Sequence, residues 1–260
     1  MLYLCIEFKN TFIMSKQVLL STKNSKTIKG AKLGYKTYIL YLAPYNQNSK
    51  GINVCSHASI GCAEACLFRS GFGGMYKGVE AGRVKKTEYF LSNRIEFMFQ
   101  LKKEIESAIR LNVDKAIPVF RLNGTSDLPF EKYRVFENDK NIFELFPDVQ
   151  FYDYTKNHIR FMKELPKNYH LTFSRSETNN DKAFELLNKG FNVAMVFDKT
   201  PDTFRGFEVI NGDKDDLRFL DKQNVIVGLK YKNITGAGAD NSLAYKSGFA
   251  FRVAEETAGI

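Results

Sequence analysis

Histidine is scarce in this chain: only His57, His158 and His170 occur among 260 residues. There is no G-x-S-x-G elbow, so the nucleophilic triads that need a histidine base are disfavoured. The H-x-E and paired-cysteine signature of the zinc deaminases is missing too. The GFGG segment at 71–74 lacks the lysine–serine pair of a phosphate-binding P-loop and reads as a loop. No run is long and apolar enough to cross a bilayer. Neither a basic n-region nor a small-residue cleavage site marks a secretory leader. Four cysteines are too few for a secreted disulfide scaffold. Repeats and low-complexity tracts are also missing. These absences point to an intracellular protein, expected in the cytoplasm and without a membrane partner.

What is present is ordinary globular composition, 44% hydrophobic and 26% charged, which excludes a mainly disordered, collagenous or fibrous chain. A chain of this length buries a real core without staples. Lys+Arg total 38 against 29 Asp+Glu, a formal charge of +9. The surplus favours anionic partners such as nucleic acid or nucleotides. Cys5 lies in an apolar stretch, residues 1–13, interrupted by Glu7 and Lys9. That stretch reads as an extension upstream of a start at Met14, or as an edge strand.

Strand patterns fall at 18–20 and 32–41, the second rich in Tyr, Thr, Ile and Leu and closed by Pro44. A glycine-rich loop at 53–75 follows. Over 85–111, Leu91, Ile95, Met98, Leu101, Ile105 and Ala108 recur at helical spacing and predict one helix with an apolar face. Short apolar runs then alternate with helical segments. The runs are 116–122, 149–154, 169–173, 191–197 and 225–231; the helical segments include 136–146, HIRFMKEL and NDKAFELLNKG, with Gly190 as the C-cap residue. FEVINGDKDDLRFL carries an Asn-Gly signal for a small hairpin. The alternation predicts an α/β fold with six parallel strands. A partial (β/α)6 barrel, TIM-barrel-like, is the favoured architecture, and an open doubly wound parallel sheet is the alternative. The expected organisation is an N-terminal extension and edge strand at 1–30, the β/α body at 31–235, and a C-terminal segment at 236–260. ITGAGAD at 234–240 reads as a flexible linker after the last strand.

In both architectures function sits at the carboxyl ends of the strands. The polar residues there are Asn123, Gly124, Thr125, Ser126 and Asp127; Asp153 and Lys156; Ser174, Arg175, Ser176 and Glu177; Asp198 and Lys199; and Lys230 and Lys232. Any one of them suits a helix N-cap. Their recurrence at one topological level suggests a shared rim.

The sharpest local signal is Cys55-x6-Cys62-x3-Cys66. Cys62 and Cys66 share a helical face, and Cys55 can fold back toward them. Three converging thiolates suit an iron–sulfur cluster or zinc. His57 is a conceivable fourth zinc ligand, though paired C-x2-C knuckles are missing. A [4Fe–4S] cluster needs no fourth protein ligand when a small molecule takes the last iron.

A three-cysteine loop directly after the first strand of a six-fold β/α repeat resembles the radical S-adenosylmethionine (SAM) superfamily, over residues 38–231. The resemblance implies a [4Fe–4S] cluster on Cys55, Cys62 and Cys66, with S-adenosylmethionine chelated by the open iron. It implies that Asn123, Gly124, Thr125, Ser126, Ser174, Arg175 and Glu177 hold the S-adenosylmethionine. Asp127, Asp153, Lys156 and Asp198 would then face the substrate as catalytic residues. The spacing departs from the common C-x3-C-x2-C, and Ala65 stands where an aromatic residue usually precedes the last cysteine. The chain also resembles an uncharacterised family of bacteriophage-encoded proteins through NVCSHASIGCAEACL, RLNGTSD, FPDVQFYDYTK, NYHLTFSRSE and INGDKDDLRFLD. That likeness implies expression in an infected bacterial cytoplasm.

Two other functions compete. Asp127, Asp153, Glu177 and Asp198 could bind Mg²⁺ in a hydrolase or nuclease. Alternatively Lys85, Lys86, Arg94, Lys102 and Lys103 could make the long helix a nucleic-acid-binding face without catalysis. The interleaved Glu88, Glu96, Glu104 and Glu106 favour a solvated face instead.

Overall fold

The computed structural model describes residues 17–22, 25–45, 47–66, 76–234 and 240–257. The stretch 1–13 with Cys5, the GFGG segment and residues 235–239 lie outside the described residues. Period-two apolar patterning produces a single sheet of strands β1 (Leu20–Ser21), β2 (Tyr35–Leu40), β3 (Ile117–Arg121), β4 (Phe151–Thr155), β5 (Tyr169–Ser174), β6 (Val193–Phe197), β7 (Thr203–Phe204), β8 (Phe207–Asn211), β9 (Ile226–Lys230) and β10 (Ala250–Phe251). The helices are α1 (Ser25–Ala31), α2 (Ile60–Glu64), α3 (Lys77–Ser92), α4 (Arg94–Asn112), α5 (Ile142–Leu145), α6 (Asn180–Asn188), α7 (Leu243–Lys246) and α8 (Val253–Thr257).

The spatial order is β1-β2-β3-β4-β5-β6-β9-β8-β7. The six expected parallel strands, β2 to β6 and β9, lie side by side in chain order. Strand β9 lies between β6 and the earlier strand β8, parallel to both, so the chain order reverses at that end of the sheet. The sheet is open: antiparallel β1 ends one side and antiparallel β7 the other. Strand β5 pairs only with the start of β6, through Phe173 and Ser174. Strand β10 takes over the rest, Ala250 beside Val196 and Phe251 beside Phe197. The carboxyl ends of β5 and β6 therefore part, and the C-terminal segment fills the gap.

Alternation sorts the side chains into two faces. Leu40, Phe120, Phe151 and Leu171 pack with Phe90, Phe97, Met98, Leu101 and Ile105 of α3 and α4. Phe173, Val193, Met195 and Ile226 pack with Ala183, Leu186 and Leu187 of α6. Helices α3 to α6 thus cover one face. On the other, Val119 and Tyr152 pack against Leu217, with Tyr35 and Phe219 beside them. The segment that carries Leu217 and a 3-10 turn at Arg218–Leu220 closes the lower half of this face. Its upper half, toward the strands' carboxyl ends, is left open.

Several elements differ from the sequence patterns. The single helix expected over 85–111 is two, because Asn93 leaves helical geometry at φ −136°, ψ 56°. The break lets Phe97 meet Phe90 and Tyr89 edge-on. It also turns Ile95 outward, 62% exposed, off the expected apolar face. Residues 136–146 form only a 3-10 turn and the short α5, since Asn138 and Asp139 sit at positive φ. HIRFMKEL forms a 3-10 turn at His158–Met162. The small hairpin lies one step earlier than expected, between β7 and β8, with Arg205 and Gly206 at φ 47° and 85°. That pair of positive φ values suits a two-residue hairpin loop. Asn211 instead ends β8 opposite Gly228 of β9, and a Cβ on Gly212 would stand 2.5 Å from Val227 Cγ1. Gly190 takes φ 90° just past α6, as a C′ glycine does.

Candidate functional site

The open half of the concave face is a cleft of about 1030 Å³. It is built at the ends of β2 to β6 and β9, and α2 and α3 form one wall. Cys55, Cys62 and Cys66 all line it. Also present are Asn123, Gly124, Thr125, Ser126 and Asp127 from the loop after β3, Lys156 from beyond β4, and Ser174 from β5. These sequence-distant groups do converge.

The cysteine wall is pinned at several points. Helix α2 begins at Ser59, whose side chain accepts from Cys62 N. Glu177 reaches across from beyond β5: its carboxylate accepts from Ser59 Oγ at 2.7 Å and Gly61 N at 2.8 Å. A carboxylate over the amino end of a helix satisfies orphan N–H groups there. Glu177 thus holds the cysteine helix and is not among the groups that line the cleft. Cys55 Sγ donates to Thr125 O at 3.5 Å, which ties this wall to the loop after β3. Burial, opposed by the hydrogen bond from the Tyr45 backbone and reinforced by Cys66 and Cys62, pushes the Cys55 thiol up to about 12. His57 is exposed and its Nδ1 pairs with Ser56 Oγ at 3.0 Å.

The loop at 123–127 is organised by its own polar groups. Asn123 N donates to Asp153 Oδ1 at 2.7 Å, and Asn123 Oδ1 accepts from Ser126 Oγ and Leu128 N, each at 2.8 Å. Thr125 Oγ1 donates to Leu42 O at 2.5 Å. Gly124 crosses so close to β2 that a Cβ would meet Ile39 at 2.6 Å and Leu40 O at 2.8 Å. Asp127 accepts from Lys156 N at 2.8 Å and Arg160 Nη1 at 3.4 Å. Arg160 in turn is clamped by Glu131 and donates to Tyr169 Oη at 2.9 Å.

Four expected site residues fall elsewhere. Asp153 is fully buried beneath the cleft, and it accepts from Asn123 and from Tyr169 Oη at 2.9 Å. Desolvation lifts its carboxyl to about 6, against the pull of Arg121 and of the Asn123 and Tyr169 hydrogen bonds. Arg175 donates to Phe249 O at 3.1 Å and to Gly248 O, and stacks on Phe251, so it staples β10 in place. Glu177 caps α2, as described. Asp198 accepts from Val253 N at 3.1 Å, at the first residue of α8. The four carboxylates expected for a Mg²⁺ site are therefore dispersed. Among the described residues, no three His, Cys, Asp or Glu side chains gather closely enough to hold one metal ion. The basic helix face is broken up as well. Lys86 turns inward to Leu19 O at 2.7 Å, and Arg94 lies over Phe90 and Tyr133.

The sequence patterns missed Tyr41, Arg83, Arg121, Tyr154, Tyr231 and Phe249, all of which line the cleft. For Arg121 and Tyr154 the signal was the alternation itself, since both share the side of the sheet opposite the helix-facing Phe120 and Phe151.

Fold and site define an α/β protein with an open, mainly parallel sheet and a thiol-lined cleft at its carboxyl edge. The chain belongs to the gene product 88 family, a family of bacteriophage type, whose family model matches residues 18–252. No curated protein and no solved structure matches it significantly. No helix among the described residues is long and apolar enough to cross a membrane.

Proposed function

We propose that this protein is a radical SAM-like iron–sulfur enzyme, its sheet a partial (β/α)6 barrel, acting in the host bacterial cytoplasm on a nucleotide or nucleic-acid substrate. The observation that carries the reading is the presence of Cys55, Cys62 and Cys66 on one wall of a cleft at the carboxyl ends of an open, mainly parallel sheet. The donor set on this wall is three thiols, the ligand type that a cluster takes. Bound there, such a cluster would supply one-electron chemistry toward S-adenosylmethionine.

The chain's own residues would do the rest. The loop at 123–126 stands next to Cys55 and would carry the S-adenosylmethionine, with Ser174 on the neighbouring wall. Asp127 is held rigid by Lys156 N and Arg160 and faces the cleft with its carboxylate already ordered. Lys156 would meet the substrate. Arg175, Glu177, Asp153 and Asp198 serve this reading as positioning residues: they set β10, α2, the loop after β3 and α8.

Anaerobic reconstitution with iron and sulfide tests it. The expected product is a brown protein with visible absorbance and about four irons per chain. Cys55→Ala, Cys62→Ala and Cys66→Ala should each lose the colour. A wild-type protein that stays colourless after full reconstitution overturns the reading, as does stoichiometric zinc in protein purified anaerobically.

A further inference from the structure

We infer that the cleft is built to receive the phosphate group of a small molecule, held by Lys156 and Ser174. The inference deepens the proposed reading by naming the substrate's chemical class and rests on the same cleft. It does not depend on what the cysteines bind.

Ser174 ends β5 and Lys156 follows β4, so neighbouring strands bring them together. Lys156 Nζ donates to Ser174 Oγ at 2.7 Å. The serine oxygen is thereby an acceptor, and its own O–H remains free to donate. The ammonium keeps two further N–H groups. Arg121, on the same face of β3, gives Nη1 to Asp216 at 2.9 Å, and its guanidinium lies 4.7 Å from the Tyr154 ring.

The acceptors nearby are already engaged. Asp127 is taken by Lys156 N and Arg160, Asp216 by Arg121, and Asp213 by Lys230 N at 2.7 Å and by Lys232 at 3.7 Å. A surface with spare donors and committed acceptors selects a ligand made of acceptors. A lysine and a hydroxyl on adjacent strands suit a group with several charged oxygens.

The test is calorimetric titration of the iron-free full chain at low ionic strength with inorganic phosphate and, separately, adenosine monophosphate. Both probes are expected to bind. Lys156→Gln and Ser174→Ala should each weaken binding by roughly tenfold, as loss of one charge-assisted hydrogen bond implies. Lys102→Gln, on the far side of α4, should leave it unchanged. Tighter binding of adenosine monophosphate identifies a nucleotide as the source of the phosphate, and equal binding identifies the free anion. If wild type binds neither probe, or both cleft variants bind like wild type, the inference is overturned. A brown reconstituted protein that ignores phosphate would sink this inference alone. A colourless one that binds phosphate would sink only the cluster.

Discussion

Asp153 shows how much a single side chain commits. It ends no ion pair and touches no solvent, yet it orders Asn123 and so the whole loop after β3. Because burial raises its pKa to about 6, the folded protein holds that proton more tightly than the unfolded chain does. Ionising it therefore costs stability. The sign is opposite to that of an ion-paired carboxylate: this contribution improves as pH falls from about 7 toward about 4. Asp221, lifted to about 6 mainly by desolvation, acts in the same direction. Asp153→Asn should flatten the pH dependence of the urea midpoint over that window, by on the order of 3 kcal/mol at most. An unaltered pH profile contradicts this. Asp153→Ala strands Asn123 N and the Tyr169 hydroxyl, and should cost about 2–4 kcal/mol. Gly124→Ala drives a methyl into Ile39, Tyr41 and the Leu40 carbonyl. Its expected cost is about 1–3 kcal/mol by chemical denaturation. At this scale the sequence showed that polar residues crowd the strand ends. It did not show which would be spent inside the protein.

Elements are held by contacts across long chain separations. Helix α2 has only five residues and could not persist alone. Glu177, 118 residues from Ser59, caps it. Glu177→Ala should cost about 1–2 kcal/mol and speed alkylation of Cys62 by a maleimide, read by mass spectrometry. Unchanged labelling would remove Glu177 from this role. Strand β10 depends on Arg175 in the same way. Arg175→Met should loosen it and make the 247–252 region a site of limited proteolysis in folded protein; wild-type protease resistance would contradict the assignment. Helix α6 was legible from its apolar spacing and its trailing glycine. The break at Asn93 was not, because both halves keep helical periodicity and only the packing of Phe97 on Phe90 requires the turn. The misplaced hairpin has a similar cause. Asn211-Gly212 is a good turn signal, but the close approach of Val227 uses that glycine for packing.

For the whole molecule, the decisive feature is that one face of the sheet is covered by α3 to α6 and the other is closed only over its lower half. Leu217 closes that half against Val119 and Tyr152. Leu217→Ala should cost about 2–4 kcal/mol, and a loss below 1 kcal/mol would show that the segment is not part of the core.

The sequence by itself determined the α/β class, the six parallel strands, the cysteine spacing and the level of the sheet at which polar groups collect. These are local facts, written in periods of two and 3.6 and in turn residues. Only the tertiary structure decided that the sheet is open with β9 inserted between β6 and β8, that Asp153, Arg175, Glu177 and Asp198 serve the scaffold, and that Lys156 meets Ser174 in the cleft. Each of those outcomes depends on a partner from another strand or loop, and alternation along a strand carries no record of which neighbour will lie beside it.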